Sequence, residues 1–259
     1  MREVVAAARE LEAGRPVALV FVTHVGGSTP RSSGARMAVL ADGSIVGTIG
    51  GGEVEHRVVA LAREALRTGR PARFEANLTR DLGMCCGGLM AVHVDPVFPE
   101  PPLVVFGAGH VAHAVVPMLT ALGFRVTVVD DRDELNTPDR FACARVLDDP
   151  RAFAEGLTGD PTRYVLVVTH DHALDLDLCR SLLPLRNAWV GMIGSRAKVA
   201  KFRVRLRAAG LDEVTVASLR APVGLDLRSE TPAEIAVSIA SEVVWHRRGG
   251  EGSGRPLAG

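Results

Sequence analysis

The sequence predicts an α/β protein in which a doubly wound parallel sheet forms the C-terminal part and a smaller α+β domain forms the N-terminal part. The first observation is a strand, a glycine turn, a helix and a second strand within residues 103–131, which is the pattern of a dinucleotide-binding βαβ unit. The second is that further short apolar runs, at 164–168 and 188–193, alternate with helical patterns, as in an open parallel sheet. Together they predict a Rossmann-like C-terminal domain.

Composition and charge indicate a globular protein. Of the 259 residues, 47% are hydrophobic and the formal net charge is zero, so nothing global indicates binding to nucleic acid or to a membrane surface. No run of about 18 apolar residues is free of charge, and the first residues do not resemble a signal peptide. We therefore expect a cytoplasmic protein.

A proline-rich segment divides the chain. Three prolines fall within residues 97–102, which favours a semi-rigid connector over a helix or a strand. We expect an N-terminal domain at about residues 1–98 and a C-terminal domain at about residues 102–259.

In the N-terminal domain, hydrophobic periodicity and turn residues predict two helices and four strands. The Asp42-Gly43 dipeptide marks a tight turn between two strands, which is the signal of a hairpin. Glu55 follows a run of three glycines and is placed to reach back and cap the helix there. The predicted segments are helices at 2–13 and 53–66, and strands at 17–25, 37–40, 45–48 and 89–94.

The βαβ unit contains a residue suited to each part of a nucleotide site. Gly107 permits the tight turn after the strand at 103–106, and Gly109 lets the backbone approach a phosphate. Phosphate oxygens would face the N-terminus of the following helix, where free N–H groups and the helix dipole favour an anion. Asp130 follows the first glycine at about the distance expected of an acid that binds a ribose. The alternative is a Rossmann fold that binds no nucleotide.

The rest of the C-terminal domain continues the alternation of strands and helices. Thr231-Pro232-Ala233-Glu234 is a capping box with proline at the first helical position. The predicted segments are strands at 144–147, 164–168 and 188–193, and helices at 175–183, 195–209 and 231–246.

Polar side chains follow three of the predicted parallel strands. In a doubly wound sheet, ligands bind outside the carboxyl ends of the strands, so we expect one crevice there. Ser195 at a helix start, with Arg196 beside it, is a second anion-binding device, although N-capping and a solvated arginine explain the same pattern. The candidate ligand-binding residues of this edge are Gly107, Gly109, His110, Asp130, Thr169, His170, Gly194, Ser195 and Arg196.

A metal site at the same edge is not predicted. His170, His172 and Asp175, with His110, include metal-ligand types. However, alternate histidines leaving a strand point to opposite sides, and loop histidines that form hydrogen bonds are the simpler interpretation.

The N-terminal domain carries a second group of candidates. Cys85 and Cys86 are adjacent and flanked by glycines, so a thiolate there could carry sulfur, meet a metal or form a redox pair, whereas inert half-buried thiols are the alternative. Gly50, Gly51 and Gly52 precede a helix and repeat the phosphate-cradle pattern, or form a plain tight turn. Arg31, the three glycines and Glu55 are the binding candidates, and Cys85 and Cys86 the candidate catalytic thiols.

At these residues the chain resembles the XdhC/CoxI family, the xanthine dehydrogenase accessory proteins that act as molybdenum-cofactor chaperones. The resemblance covers nearly the whole chain, and the order of the motifs makes it much more specific than the glycine turn alone. Ala112 departs from it, because many relatives have glycine there. The motifs are Gly27-Ser28-Thr29-Pro30-Arg31, residues 47–52 with Glu55, Cys85-Cys86-Gly87-Gly88, residues 106–111, 129–132, 169–172 and 193–196, Pro222-Val223-Gly224-Leu225, and residues 232–239.

The resemblance implies a function more typical of an accessory protein than of an enzyme. It implies that the chain binds a molybdopterin-type molybdenum cofactor, protects it, and assists its sulfuration with a cysteine desulfurase. It also implies delivery to a xanthine dehydrogenase-like molybdoenzyme, and a homodimer.

Two other functions stay open. The βαβ unit and Asp130 also favour an NAD(P)-binding oxidoreductase, but Tyr164 is the only tyrosine and is followed at position 168 by valine, so no Tyr-x-x-x-Lys dehydrogenase pair exists. A nucleotide- or redox-sensing scaffold, with Cys85 and Cys86 as the switch, is the third interpretation.

Overall fold

The computed structural model describes residues 1–85 and 87–250. The chain forms two compact units, Met1–Glu100 and Pro101–Gly259. The division falls inside the expected connector, which is shorter than predicted, because strands already include Val97 and Pro102.

The first unit is an antiparallel sheet with a helix on each face. Its five strands lie in the order β3-β2-β1-β5-β4, and Val20 of the central strand pairs with Met37 on one side and Val94 on the other. The apolar stripe of α2, which includes Val54 and Val58, packs on one face, while α1 packs on the other. The elements are α1 (Arg2–Glu12), β1 (Val17–Gly26), β2 (Arg36–Leu40), β3 (Ile45–Gly47), α2 (Gly52–Thr68), β4 (Ala72–Asn77) and β5 (Leu89–Val97).

The second unit has the predicted Rossmann architecture. Its five parallel strands lie in the order β8-β7-β6-β9-β10. The strand order therefore reverses at the neighbouring strands β6 and β9, and ligands bind at such a point in sheets of this kind. The elements are β6 (Pro102–Phe106), α3 (His110–Ala121), β7 (Arg125–Val129), β8 (Ala144–Val146), α4 (Pro150–Glu155), β9 (Tyr164–Val167), α5 (His172–Leu182), β10 (Trp189–Met192), α6 (Arg196–Ala208), α7 (Glu213–Ser218) and α8 (Pro232–Arg247).

Helices cover both faces of the parallel sheet, as a doubly wound fold requires. Helices α3 and α8 pack on one face, with Leu119 and Ile239 among the buried contacts. Helices α5 and α6 pack on the other, with Leu178 and Phe202 in its core. The predicted Rossmann-like α/β fold of the second unit and the smaller α+β fold of the first unit are therefore both confirmed. Within the part of the chain that the structure describes, no helix has the length and apolarity needed to span a membrane.

Three elements were missed by the sequence patterns, and two boundaries were wrong by three residues, the end of β5 at Val97 and the start of α5 at His172. Strand β4 is an edge strand whose inward residues, Ala72, Phe74 and Ala76, alternate with polar ones. Two of these three inward residues are alanine, so the apolar pattern is weak. Helices α4 and α7 are too short for a hydrophobic period. Helix α5 begins at His172, which the sequence pattern places in the preceding loop, because Asp171 caps it by accepting a hydrogen bond from Ala173 N at 2.7 Å.

Candidate functional site

The glycine turn after β6 leads into a helix whose N-terminus has no side-chain cap among the described residues. Gly107 has φ +111, and a Cβ there would lie 2.6 Å from the Val168 carbonyl oxygen, so only glycine fits. Gly109 precedes the first helical residue, His110, which is exposed. A Cβ added to Gly109 would meet nothing within 4 Å in the described part of the chain. Since first-turn N–H groups have no partner inside a helix, this open position favours an anion.

Asp130 lies behind the turn, and its carboxylate accepts four hydrogen bonds. It accepts hydrogen bonds from Ala108 N at 2.6 Å and from Arg132 N at 3.0 Å. The guanidinium of Arg132 adds two more, at 2.8 and 2.6 Å. Burial alone would raise the pKa of Asp130, but the hydrogen bonds from Arg132 and Ala108 outweigh burial and hold the pKa below its usual value. The predicted ribose-binding acid thus fixes the glycine turn in place.

Arg140 is a second cation beside the turn, and no sequence pattern indicates its role. Its Nη2 donates to the Ala108 carbonyl oxygen at 3.1 Å, and its Nε is buried without a hydrogen-bond partner in the described residues. The guanidinium also lies over the ring of Phe141, 5.9 Å from its centroid. Its positive charge therefore adds to the attraction of the turn for an anion.

The segment after β9 is organised by a buried ion pair. Asp175 is fully buried and contacts Lys198 Nζ at 2.5 Å, while Thr169 Oγ1 donates to its other oxygen at 2.6 Å. Lys198 Nζ also donates to the Ile193 carbonyl oxygen at 3.3 Å, so one side chain ties the segments after β9 and β10 together. Neither residue was predicted in this role, because the pair joins two different helices.

The histidines of this edge do not form a metal site with Asp175, whose oxygens are occupied by Thr169 and Lys198. His170 and His172 are exposed. In residues 1–85 and 87–250, no group of three or more His, Cys, Asp or Glu side chains is arranged to hold a metal ion.

The segment after β10 combines an N-cap with a cleft. Ser195 Oγ accepts a hydrogen bond from Lys198 N at 3.2 Å, so the N-capping interpretation of this serine is confirmed. Arg196 is exposed and lies 3.4 Å from Asp226. Gly194 and Arg196 line a cleft of about 350 Å³ that the loop 222–229 and the start of α8 complete. The cleft is large enough for a small organic ligand.

The ends of β6, β9 and β10 meet, as the sequence predicted. Gly107 contacts Val168, and its Cβ position lies 3.1 Å from Thr169 Cα. Lys198 joins the ends of β9 and β10. The predicted residues Gly107, Gly109, His110, Asp130, Thr169, His170, Gly194, Ser195 and Arg196 all follow the carboxyl ends of β6, β7, β9 and β10. Whether they touch a ligand stays a prediction.

In the first unit, the Gly50–Gly52 turn already holds a carboxylate. Glu55 Oε2 accepts hydrogen bonds from Ile49 N and Gly51 N, each at 3.2 Å, and from Thr48 Oγ1 at 2.7 Å. Thr48 Oγ1 in turn accepts from Gly50 N at 3.1 Å. The turn therefore attracts an anion as the pattern suggested, but the anion is the protein's own side chain.

Three loops of the first unit lie together at one end of its sheet. Gly88 N donates to the Ser28 carbonyl oxygen at 2.9 Å, and a Cβ on Gly88 would lie 2.6 Å from the Gly26 carbonyl oxygen. The Cβ position of Gly50 lies 2.5 Å from Pro30 Cγ, and that of Gly52 lies 3.4 Å from Met84 Cε. The described residues of the loops 26–31, 50–52, 84–85 and 87–88 thus pack so closely that a side chain larger than hydrogen does not fit at Gly50 or Gly88.

The chemically reactive candidates of this unit lie on those loops. Cys85 and Arg31 are both exposed, and Cys86 lies outside the described residues. Cys179, in the second unit, differs sharply, because its complete burial raises the pKa of its thiol to about 12. Cys85 is therefore accessible to another molecule, whereas Cys179 is not.

Comparison with known proteins agrees with the sequence motifs. The family model described as the XdhC Rossmann domain matches residues 103–243, and the one described as the XdhC and CoxI family matches residues 10–77. The protein YqeB of Escherichia coli (strain K12) is 38% identical over 92% of this chain and 45% of its own length. A protein of Bacillus subtilis (strain 168), named as a probable xanthine dehydrogenase subunit, is 26% identical over 60% of this chain and 46% of its own length.

A solved structure shares the fold of the chain. The crystal structure described as a xanthine dehydrogenase from Bacillus halodurans superposes with a TM-score of 0.54 at 20% identity, covering 100% of this chain and 99% of that one. The chain spans about half the length of the curated relatives it matches. One family model covers more than half of the chain and a second covers much of the rest, so the chain belongs to the XdhC and CoxI family.

Proposed function

We propose that this chain is an accessory protein that binds a molybdopterin-type molybdenum cofactor, assists its sulfuration and delivers it to a xanthine dehydrogenase-type enzyme. Membership of the XdhC and CoxI family supports this proposal, as does a relative whose name links it to xanthine dehydrogenase. The observation that carries it is the N-terminus of α3 behind the glycine turn, which no described side chain caps and which suits a phosphorylated ligand.

The residues present fit the phosphate and the organic part of such a cofactor. The phosphate would lie at the first turn of α3, in the open space at Gly109, with Arg140 adding a charge. The organic part would lie toward Thr169, His170 and the cleft that contains Gly194 and Arg196. When bound, the cofactor supplies the molybdenum chemistry of the target enzyme, while this chain holds and orients it.

Cys85 is proposed to act in sulfuration. Its exposed thiol would lose its proton to solvent, and the resulting thiolate would attack the outer sulfur of a persulfide on a cysteine desulfurase. The new S–S bond would then lie on Cys85, and the desulfurase would leave as the free thiolate. Cys86 is proposed as its partner on sequence grounds. Arg31 and the Gly50–Gly52 turn, shaped by Glu55, would form the surroundings of this thiol.

A pair of glycine substitutions tests the phosphate site. Gly109→Ala adds a methyl group where the ligand would lie, at an ordinary φ of −73 and with no described atom within 4 Å. The fold should therefore be unaffected, while the pterin that purifies with the protein falls about tenfold, the effect of losing one strong contact. The measurement is pterin fluorescence after denaturation of protein co-expressed with molybdenum-cofactor synthesis.

Gly156→Ala is the matched control, because Gly156 has φ −76 and its nearest Cβ contact is 3.5 Å. This variant should keep the wild-type amount of pterin. Equal pterin in Gly109→Ala and the wild type would remove the glycine turn from the proposal, and no pterin in the wild type would refute the function itself.

The thiols are tested in the same preparation. Replacing Cys85 and Cys86 with serine should leave the bound pterin unchanged but lower the sulfuration of the target enzyme, measured by cyanide-released sulfur. Cys143→Ser is the control, because the pKa of its half-buried thiol is raised by burial. Unchanged sulfuration in the double variant would exclude both thiols from the reaction.

An NAD(P)-binding oxidoreductase is the second candidate, favoured by the βαβ unit at β6, α3 and β7. The same purified protein distinguishes the two functions. Tight binding of NADH, with turnover of a hydroxy or carbonyl substrate, would support the oxidoreductase. Pterin without nicotinamide turnover would support the accessory protein.

A further inference from the structure

The end of β7 is closed by an arginine rather than open to a ligand. In a dinucleotide-binding fold, the acid at this position hydrogen-bonds the ribose hydroxyls. Here Arg132, two residues further on, contacts both oxygens of the Asp130 carboxylate, at 2.8 and 2.6 Å. We propose that Arg132 is a specificity-determining residue that prevents Asp130 from binding the ribose diol of a nucleotide at the glycine turn.

Hydrogen-bond counting carries the proposal. A carboxylate has about four lone-pair positions. Asp130 fills them with the backbone N–H groups of Ala108 and Arg132 and with two N–H groups of the Arg132 guanidinium. A ribose diol could therefore bind Asp130 only by displacing the guanidinium.

Burial makes that displacement unfavourable. The Asp130 side chain is 4% exposed, whereas that of Arg132 is 25% exposed, so the guanidinium lies between the carboxylate and solvent. Planar two-point contacts between arginine and a carboxylate are among the strong, charge-assisted hydrogen bonds. A neutral diol brings no positive charge to replace the one that it removes.

The charges around Arg132 also disfavour a phosphorylated ribose at this end. The neighbouring Asp131 and Glu134 carboxylates help to raise the pKa of the Arg132 guanidinium, after its hydrogen bond to Asp130 as the largest cause. Asp133 and Glu134 are exposed, so an added phosphate would meet negative charge. The ligand therefore lies with its phosphate at α3 and its organic part toward β9 and β10, away from β7.

Binding of a simple nucleotide tests the role of Arg132. The inference rests on the proposed anion site at the glycine turn, so the probes are ADP and 2′,3′-dideoxy-ADP, which place the same phosphates there with and without the diol. Calorimetry on the full chain should give equal affinities for the two in the wild type. In Arg132→Met, which keeps side-chain length without charge, ADP should bind about tenfold more tightly than its dideoxy analogue, the effect of a hydrogen bond to a charged group.

Two variants control the experiment. Arg125→Ala, at the opposite end of β7 and exposed, should behave as the wild type. Arg132→Met with Asp130→Asn should lose the preference for the diol, because the amide lacks the charge, and far-UV circular dichroism checks that each variant is folded.

Three outcomes would overturn the inference. They are a diol preference in the wild type, equal affinities for the two probes in a folded Arg132→Met variant, and no binding of ADP by that variant at millimolar concentration. Failure of the proposed function is a separate result. It is shown by the absence of pterin from the purified wild type, and it does not depend on whether Arg132→Met prefers the diol.

Discussion

Removing the charge of Lys198 should strongly destabilise the second unit. In Lys198→Met the carboxylate of Asp175 stays fully buried, and the Thr169 hydroxyl is the one side-chain donor left to it in the part of the chain that the structure describes. Breaking a buried ion pair by removing one partner costs about 3–5 kcal/mol, because the remaining charge is uncompensated. Replacing both partners with apolar residues is often neutral, so Asp175→Leu with Lys198→Met should recover most of the lost stability. Thr169 keeps an acceptor in that variant, the Asp171 carbonyl oxygen at 3.0 Å.

The assay is urea unfolding followed by tryptophan fluorescence. Trp189 and Trp245 are the two tryptophans of the sequence, and both lie in the second unit, so the signal reports on that unit. With a slope of about 2 kcal/mol per M urea, the expected loss shifts the midpoint of Lys198→Met by about 2 M. A loss below about 1 kcal/mol, or a double variant as unstable as the single one, would refute the argument from an uncompensated charge.

Three further outcomes follow from other parts of the molecule. Gly88→Ala should destabilise the first unit by about 1–3 kcal/mol through overpacking against the backbone. Gly87→Ala should not, because its Cβ would lie 3.6 Å from the nearest atom. Thermal unfolding distinguishes the two variants, and equal melting temperatures would contradict the reasoning. Burial, with a smaller effect of Arg220, lowers the pKa of His246 below 6.5, so the unfolded chain binds a proton before the folded chain does as the pH falls. The unfolding free energy should therefore decline below about pH 6.5 in the wild type and decline less in a His246→Gln variant. Parallel pH profiles of the two unfolding free energies would show that this histidine does not contribute. In iodoacetamide labelling resolved by peptide mass spectrometry, Cys85 should react under native conditions and Cys179, whose pKa is about 12, only in denaturant; labelling of native Cys179 would contradict its burial.

Features that depend on neighbours in the sequence were predicted well. The capping box at Thr231 is present, because its hydroxyl accepts from Glu234 N at 3.3 Å and the Glu234 carboxylate accepts from Thr231 N at 3.0 Å. The Asp42-Gly43 turn is also present, with Gly43 at φ +86. Such motifs are complete within a few residues, so a pattern in the chain is enough to define them.

Features that depend on the tertiary fold could not be predicted. Lys198 lies in a helix rich in basic residues, and nothing in the neighbouring sequence indicates that its ammonium group is buried against Asp175 of another helix. Arg140 lies in a segment without a clear pattern, and only the fold brings it to Ala108. Asp130 was predicted as a ligand-binding acid from its position, but a position in the chain does not reveal that Arg132 occupies its oxygens.

The carboxylate of Glu55 makes the Gly50–Gly52 turn independent of any bound molecule. Glu55 lies at the start of α2, and its carboxylate already holds the backbone of the Gly50–Gly52 turn through hydrogen bonds. That backbone therefore has little conformational entropy left to lose when another molecule binds, and little to regain when it dissociates. Binding and dissociation at this end of the first unit therefore require no refolding of the turn. The affinity of a molecule there depends on the contacts that it makes with the turn as already formed.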